Sequence, residues 1–155
     1  MDELRARFLE GMSRAATFVA VATTDGPGGR AGVTVSSLTS VSADGDQPSL
    51  LLCIHHQSPA AAAILANRAF CANLLAEDQQ ATANLFAGRG GGDRADRFSQ
   101  VTWATGPLGQ PILTGATAIF ECRLATALLW ETHHILVGRV LSVRLSDRPE
   151  ALLYG

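Results

Sequence analysis

The sequence predicts a mainly β protein with a few short helices, its antiparallel strands rolled into a closed or nearly closed barrel. Three observations carry this. Apolar, β-branched stretches alternate with period two, as in Val33 and Val35 against Thr34 and Ser36. Gly-, Asp- and Pro-rich turns separate those stretches at Asp25–Gly29 and Asp44–Pro48. The helical segments between them are too few and too short for the alternating βαβ units of a parallel sheet.

The chain opens on a helix, with Leu4, Phe8, Leu9 and Met12 on one face and Asp2 and Glu3 in the first turn, where the dipole favours acids. Thr17–Thr24 is the first strand, and across the Asp25–Gly29 turn Gly32–Ser42 follows as its hairpin partner. Ser49–His56 is a buried strand. Ser58 stands at the N-cap and Pro59 at the first position of a short helix, PAAAAILAN. Ala69–Ala76 is a further strand with Asn73 at its middle, Glu77–Ala87 is helical, and Gly88–Asp93 is a glycine-rich loop. Irregular sequence follows to Pro111. Ala116–Leu124 and His133–Leu145 close the chain as strands. No internal repeat or linker interrupts residues 1–155, which read as one domain.

Composition narrows the function classes. Hydrophobic residues make up 47% of the 155-residue chain and charged residues 17%, against about 25% in an average domain. So apolar a surface points to an oligomer interface. The net charge of −2, with twelve scattered arginines and no lysine, leaves no footprint for nucleic acid. No apolar run reaches the ~18 residues of a membrane span. MDELRARF lacks the apolar stretch of a secretory leader, and Cys53, Cys71 and Cys122 lie far apart in apolar surroundings. The expectation is a cytoplasmic protein with reduced thiols.

The stretch richest in chemistry is Gly32–Ser42, a strand that turns into a run of hydroxyls: Ser36, Ser37, Thr39, Ser40 and Ser42. Short hydroxyls beside backbone N–H groups suit a phosphate or a flat polar heterocycle. The same hydroxyls equally satisfy local backbone groups in a turn. The four histidines form two adjacent pairs, His55-His56 and His133-His134. Neighbours in a strand point to opposite faces, so no metal site is expected from them. Asn73 reads as a structural hydrogen-bonder. Phe98 and Trp103 read either as a cover for a bound ring or as core. The Gly88–Asp93 loop lacks the lysine of a phosphate-binding P-loop.

Taken in order, GVTVSSLTSVS, the strand ending near Ser58-Pro59, Asn73–Ala76, Leu85–Ala87, Arg97-Phe98, Trp103, Gly115–Cys122 and His133–Val140 resemble the short-chain flavin reductases. The resemblance runs from about Gly11 to Val143. It implies an FMN-binding split β-barrel, Greek-key-like and antiparallel, acting as a homodimer. It also implies hydride transfer from NADH or NADPH to FMN or FAD, with reduced flavin passed to a partner flavin-dependent monooxygenase. By the same resemblance the flavin lies against Thr34, Val35, Ser36, Ser37 and Ser40. Cys53, Ile54, His55 and Ser58 line its ring and ribityl chain, and Phe86 and Ala87 lie near its phosphate. His133 orients the nicotinamide, and Arg89 is added as a phosphate partner on charge alone.

One departure stands out. Where the family has Gly-Asp-His before an apolar strand, this chain has Glu131-Thr132-His133. Glu131 adds bulk and negative charge beside a site meant for an anionic dinucleotide. Two further readings therefore stay open: a flavin-binding or flavin-delivery protein without pyridine-nucleotide activity, and an oxidoreductase of the same barrel acting on another small molecule.

Overall fold

The computed structural model describes residues 2–88 and 97–154. Arg89 and most of the glycine-rich loop lie outside the described residues. A seven-stranded antiparallel sheet dominates, built from β2 (Ala20–Thr24), β3 (Ala31–Val35), β4 (Thr39–Ser42), β5 (Ser49–His55), β6 (Ala69–Leu74), β9 (Ala118–Trp130) and β10 (His133–Leu145). Its spatial order is β3-β2-β6-β9-β10-β5-β4. Strands β3 and β4, neighbours in sequence, therefore end on opposite edges. The barrel is split there.

Ser37 bridges the split. Its hydroxyl donates to the Cys53 carbonyl (3.1 Å) and accepts from the Cys53 N–H (2.8 Å). A side chain thus stands in for ladder hydrogen bonds between the end of β3 and the end of β5, just past the point where β4 stops pairing with β5 at Leu51. The Gly32–Ser42 stretch expected as one strand breaks at Ser36–Leu38 because the chain must cross from one edge to the other.

Strand β2 explains why its sequence is so apolar: all five residues are buried. Ala20 and Ala22 face the barrel interior with Leu52, Ile54, Phe70 and Leu136, and Ala61 and Ile64 of α2 (Pro59–Asn67) pack on the same cluster. Val19 and Val21 face a second cluster with Leu75, Phe86, Phe98 and Leu113. Both faces are covered, so alternation of polarity is lost while alternation of direction is kept.

Several expectations need correction. Thr17–Thr24 is two pieces, β1 (Thr17–Phe18) and β2, because β1 leaves the main sheet to pair with β11 (Leu153–Tyr154). The helix expected over Glu77–Ala87 is α3 (Gln80–Phe86); Gln79 instead turns back, its side-chain oxygen accepting from the Ala76 N–H. The irregular stretch to Pro111 contains a 3-10 turn, Phe98–Gln100, and a small hairpin of β7 (Trp103–Thr105) and β8 (Pro111–Leu113). β9 runs on to Trp130, well past Leu124. Ser58 holds the N-cap position of α2, but its side chain makes no capping bond. α1 (Asp2–Ser13) forms as expected, yet buries none of its residues. Among the described residues, no helix is long and apolar enough to cross a membrane.

Candidate active site

A two-lobed cleft lies beside the seam. One lobe, of about 330 Å³, is lined by Val33–Ser37 from the end of β3, Cys53–His55 from the end of β5, Ser58, and His133 at the start of β10. The other, of about 450 Å³, is lined by Arg30–Val33, His55, Gln57–Ala60, Phe86, Ala87 and Arg97. Val33, His55 and Ser58 belong to both, so His55 and Ser58 stand at the junction. The split makes the cleft, since β3 and β5 diverge there instead of pairing.

Eleven of the twelve residues implied by the sequence come together: Thr34, Val35, Ser36, Ser37, Cys53, Ile54, His55, Ser58 and His133 in the smaller lobe, and Phe86 and Ala87 in the larger. Ser40 does not join them. It is exposed on β4 and lines a separate apolar groove with Phe18, Leu38, Leu50, Phe120 and Val143. Arg89 lies outside the described residues.

The hydroxyls divide between the two roles considered for them. Thr34 donates to the Ala83 carbonyl (2.7 Å), tying β3 to α3, and Ser37 closes the seam. Ser36 is exposed. Val35, Ile54 and Phe86 are buried and give the lobes an apolar floor. Backbone, hydroxyl and apolar wall together suit a flat heterocycle with a polar tail.

The histidines depart from expectation. His55 and His56 do not point to opposite faces: their rings stack at 5.0 Å and 18°, because β5 ends at His55 and His56 sits in a turn. His133 lies directly across from His55 in the β5–β10 register and meets its ring edge-on at 5.1 Å. Its Nδ1 is 2.9 Å from the Thr132 hydroxyl. Despite this gathering, no group of three or more His, Cys, Asp or Glu among the described residues could hold a metal ion.

Sequence reasoning missed two cations. Arg30 pairs with Asp25 (3.1 Å) and lies over the Trp103 ring at 4.4 Å. Arg97 donates to the Phe86 carbonyl at 3.2 Å. Arg97 stands in the sequence only within the Arg97-Phe98 motif of the resemblance, with no role attached, and Arg30 carries no local signal. Phe98 is buried between Phe86 and Trp103, with edge-to-face contacts at 5.2 and 5.4 Å, and so belongs to the core; half-buried Trp103 carries Arg30. Asn73 is structural, donating to the Val21 carbonyl and the Thr23 hydroxyl (both 3.0 Å) and accepting from the Leu113 N–H (2.9 Å).

An antiparallel barrel split at a hydroxyl-bridged seam, with a two-lobed cleft opening on that seam, defines a ligand-binding barrel. The chain belongs to the flavin reductase-like domain family, whose model matches residues 12–155. It is 39% identical over 151 residues to the FMN reductase (NADH) RutF of Stutzerimonas stutzeri, covering 97% of this chain and 84% of that protein. The solved structure of BorF, the flavin reductase component of a bacterial two-component tryptophan halogenase, is 37% identical, with a TM-score of 0.84 over 96% of this chain and 92% of that one. The Streptomyces globisporus NADH:FAD oxidoreductase SgcE6, in complex with NAD and FAD fragments, is 27% identical, with a TM-score of 0.86 over 97% and 88%.

Proposed function

We propose that this protein is an NADH-dependent flavin reductase that reduces FMN, or FAD in its place, and releases the reduced flavin to a partner flavin-dependent oxygenase or halogenase. The observation that carries the reading is the smaller lobe, where residues 33–37, 53–55, 58 and 133 converge from distant parts of the chain. Family membership and the names of the relatives support it. NADPH is the alternative donor to be compared. The protein acts as a homodimer in the cytoplasm; its exposed apolar strands and its three free cysteines support this.

The nicotinamide and flavin, when bound, supply the hydride donor and acceptor. The chain's own groups have a simpler task. The β3 end and the Cys53–His55 strand end hold the ring against an apolar floor, keeping water from one face. Backbone N–H groups and the Ser36 and Ser58 hydroxyls offer donors to polar ring edges. His133, its ring fixed by Thr132 and His55, would orient the donor ring from beside the β5 end.

A flavin carrier without nucleotide activity is the second reading. Glu131, which replaces the family's glycine in the turn before His133, favours it. Anaerobic stopped-flow absorbance separates the two. Protein mixed with FMN and then NADH is expected to bleach the oxidised flavin band rapidly, and His133→Ala to slow that bleaching by about 10-fold or more. Flavin binding without bleaching by NADH or NADPH overturns the reductase reading and leaves the carrier.

A further inference from the structure

Among the described residues two apolar surfaces lie uncovered, a helix face and a groove. The first belongs to α1, where Leu4, Phe8 and Met12 recur at i, i+4 and i+8 with Leu9 beside them. These four side chains are between 47% and 69% exposed. The second is the groove that takes Ser40, about 390 Å³ in volume and lined by Phe18, Leu38, Leu50, Phe120, Val140 and Val143. Phe18 and Val143 are half-exposed there. Such a groove receives the apolar side of an amphipathic helix, whose anchors stand one turn apart.

The helix does not enter this groove in its own chain, since α1 buries none of its residues. Its direction is fixed by backbone bonds. The Arg14 N–H donates to the Gly11 carbonyl and the Ala15 N–H to the Met12 carbonyl (both 3.2 Å), and from Thr17 onward β1 is paired with β11. Ala16 alone separates that bonded turn from that bonded strand. Folding α1 back breaks these bonds, whereas a second copy brings its groove to the helix as it stands. Every copy carries both surfaces, so a mutual exchange closes after two chains. The area agrees: one helix face exposes ~450 Å² of apolar surface, so two helices in two grooves bury ~1,800 Å² in all, the size of a stable interface. Charge agrees too. Arg5 lies one turn before Leu9 on the same stripe, and exposed Asp44 and Asp46 stand in the turn between the groove residues Ala43 and Pro48.

We propose that α1 of one copy lies in the groove between β4, β5 and β10 of a second copy, and that this exchange of helices holds the two chains together. It assigns surfaces to the homodimer of the reading above and does not depend on which flavin or donor the cleft takes. The groove is lined by the Phe120 end of β9 and not by Ala125–Trp130, so an edge contact at that other end is compatible with the exchange.

Sedimentation velocity of the full chain tests it with two variants at exposed positions, each checked for fold by circular dichroism. F8E puts a charge on the helix, and V143E puts one in the groove. Wild type is expected to be a dimer and each variant alone a monomer, because either change spoils both contacts of its own dimer. An equimolar mixture of the two recovers one contact, the unaltered helix of the V143E chain in the unaltered groove of the F8E chain. That mixture is expected to form dimers again, at a dissociation constant about 100-fold above wild type, since one contact replaces two. A variant that loses its fold is replaced by L4E on the helix or S42E in the groove and read in the same way. Either variant remaining a dimer overturns the proposal, and so does a mixture that stays monomeric. Wild type that is a monomer overturns it together with the homodimer, while bleaching of FMN by NADH continues to report on the reductase reading separately.

Discussion

At the scale of single residues, the two buried cysteines show how burial sets chemistry. Burial first, and then the buried Glu121 carboxylate nearby, raise the Cys122 thiol from 9.0 to about 12 and Cys71 further still. Glu121 is held in place by the Leu108 and Gln110 N–H groups, so its charge does not move away. In the unfolded chain both thiols lose their protons near 9, while the folded chain keeps them. Between pH 9 and 12 the native state therefore binds more protons than the unfolded state, and stability falls as pH rises. The contribution is intact below 9. Urea midpoints at pH 8, 9 and 10 are expected to decline, with each buried thiol contributing up to about 1.4 kcal/mol per pH unit. Cys122→Ala, compared with wild type as a difference in slope, is expected to flatten that decline. A decline of equal slope in the variant assigns the effect to other groups. Residue-scale reading of the sequence reached these thiols and Asn73, because burial and an isolated polar group in an apolar strand are local signals. It did not reach Arg30 or Arg97, whose positions depend on which strands meet.

At the scale of elements, the β9–β10 hairpin decides how the cleft is built where His133 lines it. Trp130 pairs with His133, leaving Glu131 and Thr132 as a two-residue turn. Glu131 has φ +52°, a left-handed conformation that glycine adopts without a Cβ clash and that other L-residues adopt at a cost of about 1–2 kcal/mol. The glycine of the family motif is therefore a backbone requirement of this turn, and here a glutamate bears the strain. Glu131→Gly is expected to raise the unfolding free energy by about 1 kcal/mol, read as a shift in urea midpoint at constant m-value. The same variant removes the carboxylate beside His133, so the KM for NADH is expected to fall in the same protein. A stabilised variant with unchanged KM would show that Glu131 shapes only the turn. Long elements such as β10 and α2 were legible because their patterns run over many residues. β7, β8 and β11 are two or three residues long and carry no period to read. Two departures at the cleft have separate causes. Strand alternation was carried beyond His55 to His56, where the backbone had already turned, whereas Ser40 was implied by the resemblance and lies past the crossing at Ser36–Leu38.

At the scale of the whole molecule, the sequence's excess of apolar residues is partly spent outside the core. α1 leaves Leu4, Phe8, Leu9 and Met12 exposed, and Leu128, Leu129 and Trp130 are 58%, 54% and 66% exposed at the end of β9. That end is also an open edge. β6 pairs with β9 only over Ala118–Arg123, and among the described strands only β10 accompanies β9 from there to Trp130. The segment Ala125–Trp130 contains no charge and no proline, the devices that keep an edge strand from recruiting another chain. Such an edge is kept only if something covers it. A second copy does so most simply, because an antiparallel edge paired with its own copy obeys a two-fold axis and closes after two chains. The cover would then lie next to His133, which ties assembly to the cleft. Sedimentation velocity at micromolar concentration is expected to give twice the chain mass of 16.3 kDa. Leu128→Lys, which places a charge on that edge, is expected to give a monomer that is still folded by circular dichroism. A dimer that survives this change places the interface elsewhere, and the exposed face of α1 is then the surface to alter next.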